Sequence, residues 1–342
     1  MKLNPTLKLI MQVLVPVAIG IGVVVFMMGK EFSLSQFERI PLTWHTLLAI
    51  FLACICMVGR EWGMMWRFRV LTDRFLSWKS AFKVTMMCEF TSAVTPTSAG
   101  GSALSMIFLN REGLSLGRAT SLTMVTLMLD QLFMTLMCPL VFLCIPYASL
   151  LGFSDTSLSS GLTLFFWIVY AGIVAVTVLL YLGALVMPHK IAVGINRLFS
   201  VLILRRWKSK ADETGKNMIA TGEDLRTRRL RWWAEAFGAT AFTWISRFLV
   251  VNALFIGFSP YASQLIVFGR QFVVWTILTV SPTPGGSGVS EWLFSNYYGD
   301  LINDASMVLV IAVLWRIITY YVYLLIGVFM VPHWLRTGGK RH

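Results

Sequence analysis

Val280-Ser281-Pro282-Thr283-Pro284-Gly285-Gly286-Ser287-Gly288-Val289-Ser290-Glu291 interrupts an apolar run that extends from Leu265 to Phe294. Proline lacks the backbone donor a helix needs, and glycine favours non-helical dihedrals, so a helix entering this stretch must stop and restart. In a membrane, broken backbone is tolerated only where protein or a wet cavity satisfies its polar groups. Such a break is therefore a candidate binding site. The same wording stands upstream, at Val94-Thr95-Pro96-Thr97-Ser98-Ala99-Gly100-Gly101-Ser102.

The membrane setting follows from composition. Of 342 residues, 57% are hydrophobic and 13% are charged, with a mean hydropathy of +0.72; a soluble domain carries about 25% charged residues. The chain reads as an all-α polytopic membrane protein, one integral membrane domain over residues 1–342. In a soluble protein a net charge of +13 would point to nucleic acid. Here it reports the positive-inside bias and attraction to anionic lipid headgroups, and no nucleic-acid partner is expected. Cys54, Cys56, Cys88, Cys138 and Cys144 lie in apolar runs and read as small buried hydrophobes. His45, His189, His333 and His342 fall at segment ends or the terminus, so no metal or other cofactor is expected.

Loop charges order the spans. Leu9 to Met28 is a first span with its N-terminus inside, and residues 1–41 comprise that span and an external loop. Leu42 to Gly59 crosses next and ends in Arg60-Glu61-Trp62; Arg67, Arg69, Arg74, Lys79 and Lys83 then read as a cytoplasmic loop. Phe82 to Leu109 holds the upstream break and emerges at Arg111 and Arg118, again cytoplasmic, which makes it a re-entrant hairpin. Ala119 to Pro146 crosses outward carrying Asp130, Tyr147 to Ser160 has no Lys or Arg and reads as external, and Gly161 to Met187 returns. The connecting unit 161–231 ends in a basic stretch whose first half is expected to lie as a helix in the inner interface. Trp232 to Phe258 crosses outward, Leu265 to Phe294 is the second hairpin, Ala305 to Val331 returns, and 332–342 is a basic cytoplasmic tail. Six full spans plus two re-entrant hairpins result, or seven or eight apolar segments by simple counting.

The two breaks sit in matched surroundings. Arg60 lies 36 residues before Pro96 and Arg247 lies 35 before Pro282, while Asp130 and Arg316 each lie 34 residues after their proline. Residues 42–146 and 232–331 thus each read as span, hairpin, span, and loop charges start the first outside and the second inside. That is an inverted-topology repeat, which in transporters places the substrate between the halves near the bilayer midplane.

At such a site the candidates for holding a ligand are Thr95, Pro96, Gly100 and Gly101 of the first break and Pro282, Thr283, Pro284, Gly285, Gly286 and Ser287 of the second. A helix restarting after glycines presents unpaired amides and a positive dipole end that favour an anion. Ser102, Ser105, Ser287 and Ser290 read first as helix caps and second as ligand contacts. An ionised side chain at bilayer depth costs about 2.5–3.5 kcal/mol on insertion scales, so it is paired or faces water. Arg247, Arg270, Arg316, Asp130, Glu89 and Glu291 qualify by position and Arg60 and Glu61 read as shallower; Arg60 joins the candidate set, as does Tyr320 beside Arg316. Structural ion pairing, for instance Asp130 with Arg316, and ligand binding both fit these charges. Cations outnumber acids in the set, which suits a phosphate-bearing headgroup that arginine can grip with two bonds.

Pro282 to Glu291, Thr95 to Gly101, Asn110 to Ser115 and Trp315 to Tyr321 together resemble the membrane domain of the lysylphosphatidylglycerol synthase family, the bacterial multiple peptide resistance factors and their standalone relatives. The resemblance runs from about Leu42 to Val331. It implies a multi-pass protein of the bacterial inner (cytoplasmic) membrane, both termini cytoplasmic, that moves or binds a lipid with a charged headgroup. In fused relatives an aminoacyl-transferase domain follows; this sequence stops soon after Val331, so synthase activity is not expected. The leading expectation is a non-enzymatic flippase with membrane lipids as its partners. The alternative is an accessory lipid-binding subunit of an envelope glycosyltransferase or lipid-modifying enzyme. A third reading, an intramembrane serine hydrolase, rests on Gly285-Gly286-Ser287-Gly288 and needs a base within reach of the serine.

Overall fold

The computed structural model describes residues 43–95, 100–151, 156–187, 216 and 219–337. The expected span Leu9 to Met28, Pro96 and the basic segment 188–215 lie outside the described residues. The described chain is helical: α1 (Trp44–Leu71), α2 (Trp78–Val94), α3 (Gly100–Arg111), α4 (Leu116–Cys144), the short α5 (Tyr147–Leu151), α6 (Thr156–Tyr181), α7 (Leu230–Phe258), α8 (Gln264–Leu278), α9 (Val289–Tyr298), α10 (Ala305–Arg316) and α11 (Val322–Thr337). Five helical stretches are long and apolar enough to cross a membrane: α1, α4, Ser160–Tyr181 of α6, α7, and Met307–Gly327 through α10 and α11. They fall on the five spans that the sequence places within the described region.

Hydroxyl side chains start several of these helices by taking up free amides. Thr43 accepts from the Thr46 amide at 3.4 Å, Ser77 from Ser80 at 3.1 Å and Ser115 from Arg118 at 3.3 Å. The apolar positions then sort into faces. On α1, Trp44, Leu48, Phe51, Ile55, Val58 and Trp62 are exposed at three- and four-residue spacing, as suits a lipid-facing stripe. The opposite stripe, Ala49, Ala53, Met57, Arg60, Met64 and Arg67, is buried. Helix α1 therefore continues past Gly59 for another three turns. The expected end of this span is corrected: Arg60, Glu61 and Arg67 belong to the helix, not to a cytoplasmic loop, because the bundle supplies partners for them.

Helix α7 lies along α1, and small residues let the backbones approach. A methyl group added at Gly63 would come within 2.6 Å of Thr243 Oγ1, and one at Gly59 within 3.3 Å of Ser246 Oγ. Thr240 and Thr243 turn their hydroxyls back onto the carbonyls of Ala236 and Ala239, at 2.9 and 2.8 Å, so they bring no unpaired donor into the interface. Helices on either side of the two breaks surround this pair. Helices α2 and α3 flank the first break, and α3 packs on α4; α8 and α9 flank the second, and α9 packs on α10. Two apolar cores result, one centred on α7 to α10 with Phe248, Phe272, Tyr298 and Trp315, the other on α1 to α4 with Phe68, Val84, Leu109 and Leu129.

Candidate functional site

The two breaks meet. The Gly285 amide donates to the Thr95 carbonyl at 3.4 Å, and the Tyr320 hydroxyl donates to the Ala93 carbonyl at 3.2 Å. Gly285 has φ 56°, in the left-handed region, and any Cβ there would fall on the Tyr320 ring. Only glycine allows this approach. Tyr320 itself lies in a π-helical turn, Ile317–Tyr321, directly after Arg316; such turns widen a helix and recur at functional sites.

Below the meeting point is a cavity of about 110 Å³, walled by residues of both cores, including Met64, Ala93, Met134, Trp275, Leu278 and Tyr323. It has room for several waters or a small anion. Its charged wall consists of Arg60, Arg67, Arg247 and Arg316 with Glu89 and Asp130. Gly285, Gly286 and Tyr320 of the expected set also line it. Glu61 and Glu291, which do not line the cavity, pair with arginines of this wall. Arg60 is bonded to Glu61 and, at 2.7 Å, to Glu89, and the Tyr323 hydroxyl donates to Glu61 at 2.5 Å. Arg67 is bonded to Asp130 at 2.5 Å, and Asp130 also accepts from Trp244 Nε1 at 2.9 Å. Arg316 donates to Glu291 at 2.9 Å, to the Gly285 carbonyl at 3.0 Å and to Ser287 Oγ at 3.3 Å, with its guanidinium over the Tyr320 ring.

Several expectations change. The Asp130–Arg316 pair does not form; each finds a nearer partner on another helix. The cation excess narrows to one residue, because Arg60, Arg67 and Arg316 are paired with Glu61, Glu89, Asp130 and Glu291 and only Arg247 is left without a carboxylate among the described residues. Arg270 is not at the cavity. It bonds both carboxylate oxygens of Asp300, the Tyr297 carbonyl at 2.5 Å and the Ser149 carbonyl at 2.8 Å, and so ties α8 to the end of α9 and to α5. The restarting helix α9 is capped from within: Glu291 accepts from the Gly288 amide at 2.7 Å, which occupies the end expected to attract an anion. Thr95, Gly101, Pro282, Thr283, Pro284, Ser287 and Glu291 shape the breaks without lining the cavity. Gly101 packs so closely on the Cys88 carbonyl and Ser92 that no side chain fits, and its amide donates to Ser92 Oγ at 3.1 Å. Gly100 opens α3. Ser105 bonds Thr123 at 2.8 Å and Ser290 donates to the Gly286 carbonyl at 2.7 Å, so neither is an N-terminal cap.

Arg67 was missed because a charge count assigns it to a loop. Its position shows it: Arg67 is seven residues after Arg60, two helical turns along the same face.

Arg247 differs from the other three. Its guanidinium stacks 3.8 Å from the Trp275 ring centre and 5.9 Å from that of Trp244. Among the described residues it has no carboxylate and no hydrogen-bond partner, and its Nε is buried.

Membrane-length apolar helices around a charged internal cavity define an all-α polytopic membrane protein. The chain belongs to the family described as Lysylphosphatidylglycerol synthase TM region, which matches residues 13–327. It is also similar to a UPF0104 membrane protein of Archaeoglobus fulgidus, 23% identical over 330 residues that cover 93% of this chain and 94% of that protein. The membrane-lipid connection inferred from the Pro-Gly motifs is thus a property of the family.

Proposed function

We propose that this protein is a translocase for membrane lipids with a charged headgroup, phosphate-bearing or aminoacylated, and that it is not itself an enzyme. The observation that carries the reading is the contact of two helix breaks, Thr95 with Gly285, above one charged cavity in an otherwise apolar bundle. A path for a polar headgroup needs broken backbone that is satisfied by protein at depth, and a water-compatible wall beside it. In this reading residues 42–146 and 232–331 are inverted repeats, each break is the tip of a re-entrant hairpin, and the headgroup sits between them near the midplane. The membrane is the bacterial inner membrane with both termini cytoplasmic, as the excess of Lys and Arg in the segments assigned inside supports. A hydrolase is disfavoured by the setting of Ser287, whose hydroxyl accepts from the cationic Arg316, a group that cannot take its proton.

A second reading has its own support. Arg316 and Tyr320 bind the two tips together, which also describes a static lipid clamp serving a lipid-modifying enzyme. Full-length protein reconstituted in vesicles with acyl-labelled phosphatidylglycerol or its lysyl ester separates the two. A translocase equilibrates label between leaflets faster than protein-free vesicles do. Lipid retention without acceleration would contradict the translocase and leave the clamp.

A further inference from the structure

The cavity wall is one-sided in its hydrogen bonding. Among its lining residues, the buried side-chain atoms without a partner are Arg60 Nε, Arg67 Nε, Arg247 Nε and Trp275 Nε1. All are N–H donors, and an unfilled buried donor is costly. The lining carboxylates are ion-paired, each through one oxygen: Glu89 with Arg60, and Asp130 with Arg67, which shares that oxygen with Trp244. A wall whose unpaired buried atoms are donors and whose carboxylates are already ion-paired is completed by a ligand made of acceptors. Phosphate oxygens are such a ligand; an ammonium group brings only donors and meets carboxylates that are already ion-paired.

Position singles out one anchor. Arg60, Arg67 and Arg316 each hold a carboxylate, so a ligand would have to compete for them. Arg247 has none among the described residues, and the Trp275 face holds its guanidinium plane in place. Planar, fixed and unpaired, it is preorganised for two-bond contact with a phosphate. At about 110 Å³ the cavity takes a phosphate group and leaves acyl chains outside.

We infer that Arg247, seated on Trp275, anchors the phosphate of the bound lipid, and that this phosphate rather than any aminoacyl ammonium is what the site recognises. The inference rests on the lipid-site reading above and narrows it.

The test is equilibrium binding to full-length protein in nanodiscs of zwitterionic lipid, followed by native mass spectrometry with phosphatidate, phosphatidylglycerol, lysyl-phosphatidylglycerol and diacylglycerol. Phosphatidate and phosphatidylglycerol are expected to bind at least about tenfold more tightly than diacylglycerol, as a charge-assisted hydrogen bond implies. Lysyl-phosphatidylglycerol is expected within about threefold of phosphatidylglycerol. Arg247→Gln should erase the preference over diacylglycerol, and Arg247→Lys should recover part of it. Trp275→Phe keeps the ring and removes the N–H; it should weaken phosphatidate severalfold, and it serves if the arginine variants misfold. Inorganic phosphate that displaces phosphatidate at equal affinity would keep the phosphate site and assign it to the free ion. Equal binding of diacylglycerol, a lysyl ester favoured more than tenfold, or an unchanged preference in Arg247→Gln would each overturn the inference. Translocation that persists unchanged in Arg247→Gln would overturn the anchor but not the translocase. Phosphate-dependent binding without translocation would do the reverse.

Discussion

The two halves of the chain carry charges at matched places and use them differently. Arg60 and Arg247 precede their breaks by 36 and 35 residues, yet Arg60 is bonded to Glu61 and Glu89 while Arg247 lies against tryptophan rings. Asp130 and Arg316 both follow by 34 residues. Arg316 reaches back to its own break and binds Gly285, Ser287 and Glu291, whereas Asp130 reaches across to Arg67 and Trp244. Matched spacing along the chain therefore sets where these charges stand, and the neighbours decide what each does. The second half spends one arginine on holding its tip; the first half holds its tip with Ser92 and with the contact to Gly285. What remains uncommitted is Arg247.

Substitutions can break this contrast in graded steps. Arg60→Ala should be the most damaging, because it strands the buried Glu89 and leaves Glu61 with only the Tyr323 hydroxyl; a loss of about 4 kcal/mol is expected in a detergent unfolding titration. Arg316→Ala comes next, at about 3 kcal/mol by the same titration, since Glu291 keeps the Gly288 amide as a partner. Gly285→Ala combines a left-handed backbone with overlap on Tyr320 and should cost about 2–3 kcal/mol, with partial recovery on adding Tyr320→Ala. Asp130→Asn retains an acceptor for Trp244 and should cost about 1–2 kcal/mol. Arg247→Gln should change stability by less than about 1 kcal/mol, because no partner among the described residues is left unpaired. Equal losses for Arg60→Ala and Arg247→Gln would erase the contrast between the halves.

Much of the architecture was legible from residue chemistry. Proline and glycine locate both breaks, and the apolar runs locate the long helices, because membranes impose helical backbone on any spanning segment. The cavity residues Arg60, Glu89, Asp130, Arg247 and Arg316 are readable too, since charges within apolar runs are rare and costly. Their pairing is not readable. Whether Asp130 meets Arg316 or Arg67 depends on how α1 and α4 pack, and no spacing along the chain encodes that. Arg270 misled for the same reason. It stands in an apolar run like the others, but its partner Asp300 lies beyond α9, and neither residue lines the cavity. Arg67 stayed hidden because the polar end of α1 resembles a loop until its heptad relation to Arg60 is noticed.

The most direct measurement is leaflet exchange of acyl-labelled phosphatidylglycerol in vesicles holding the full-length protein or its Arg247→Gln variant at equal folded amounts. The wild type should exchange label well above the protein-free rate, and Arg247→Gln should slow that exchange by about tenfold or more, the loss of one charge-assisted contact. A wild-type rate no greater than that of empty vesicles would contradict the account.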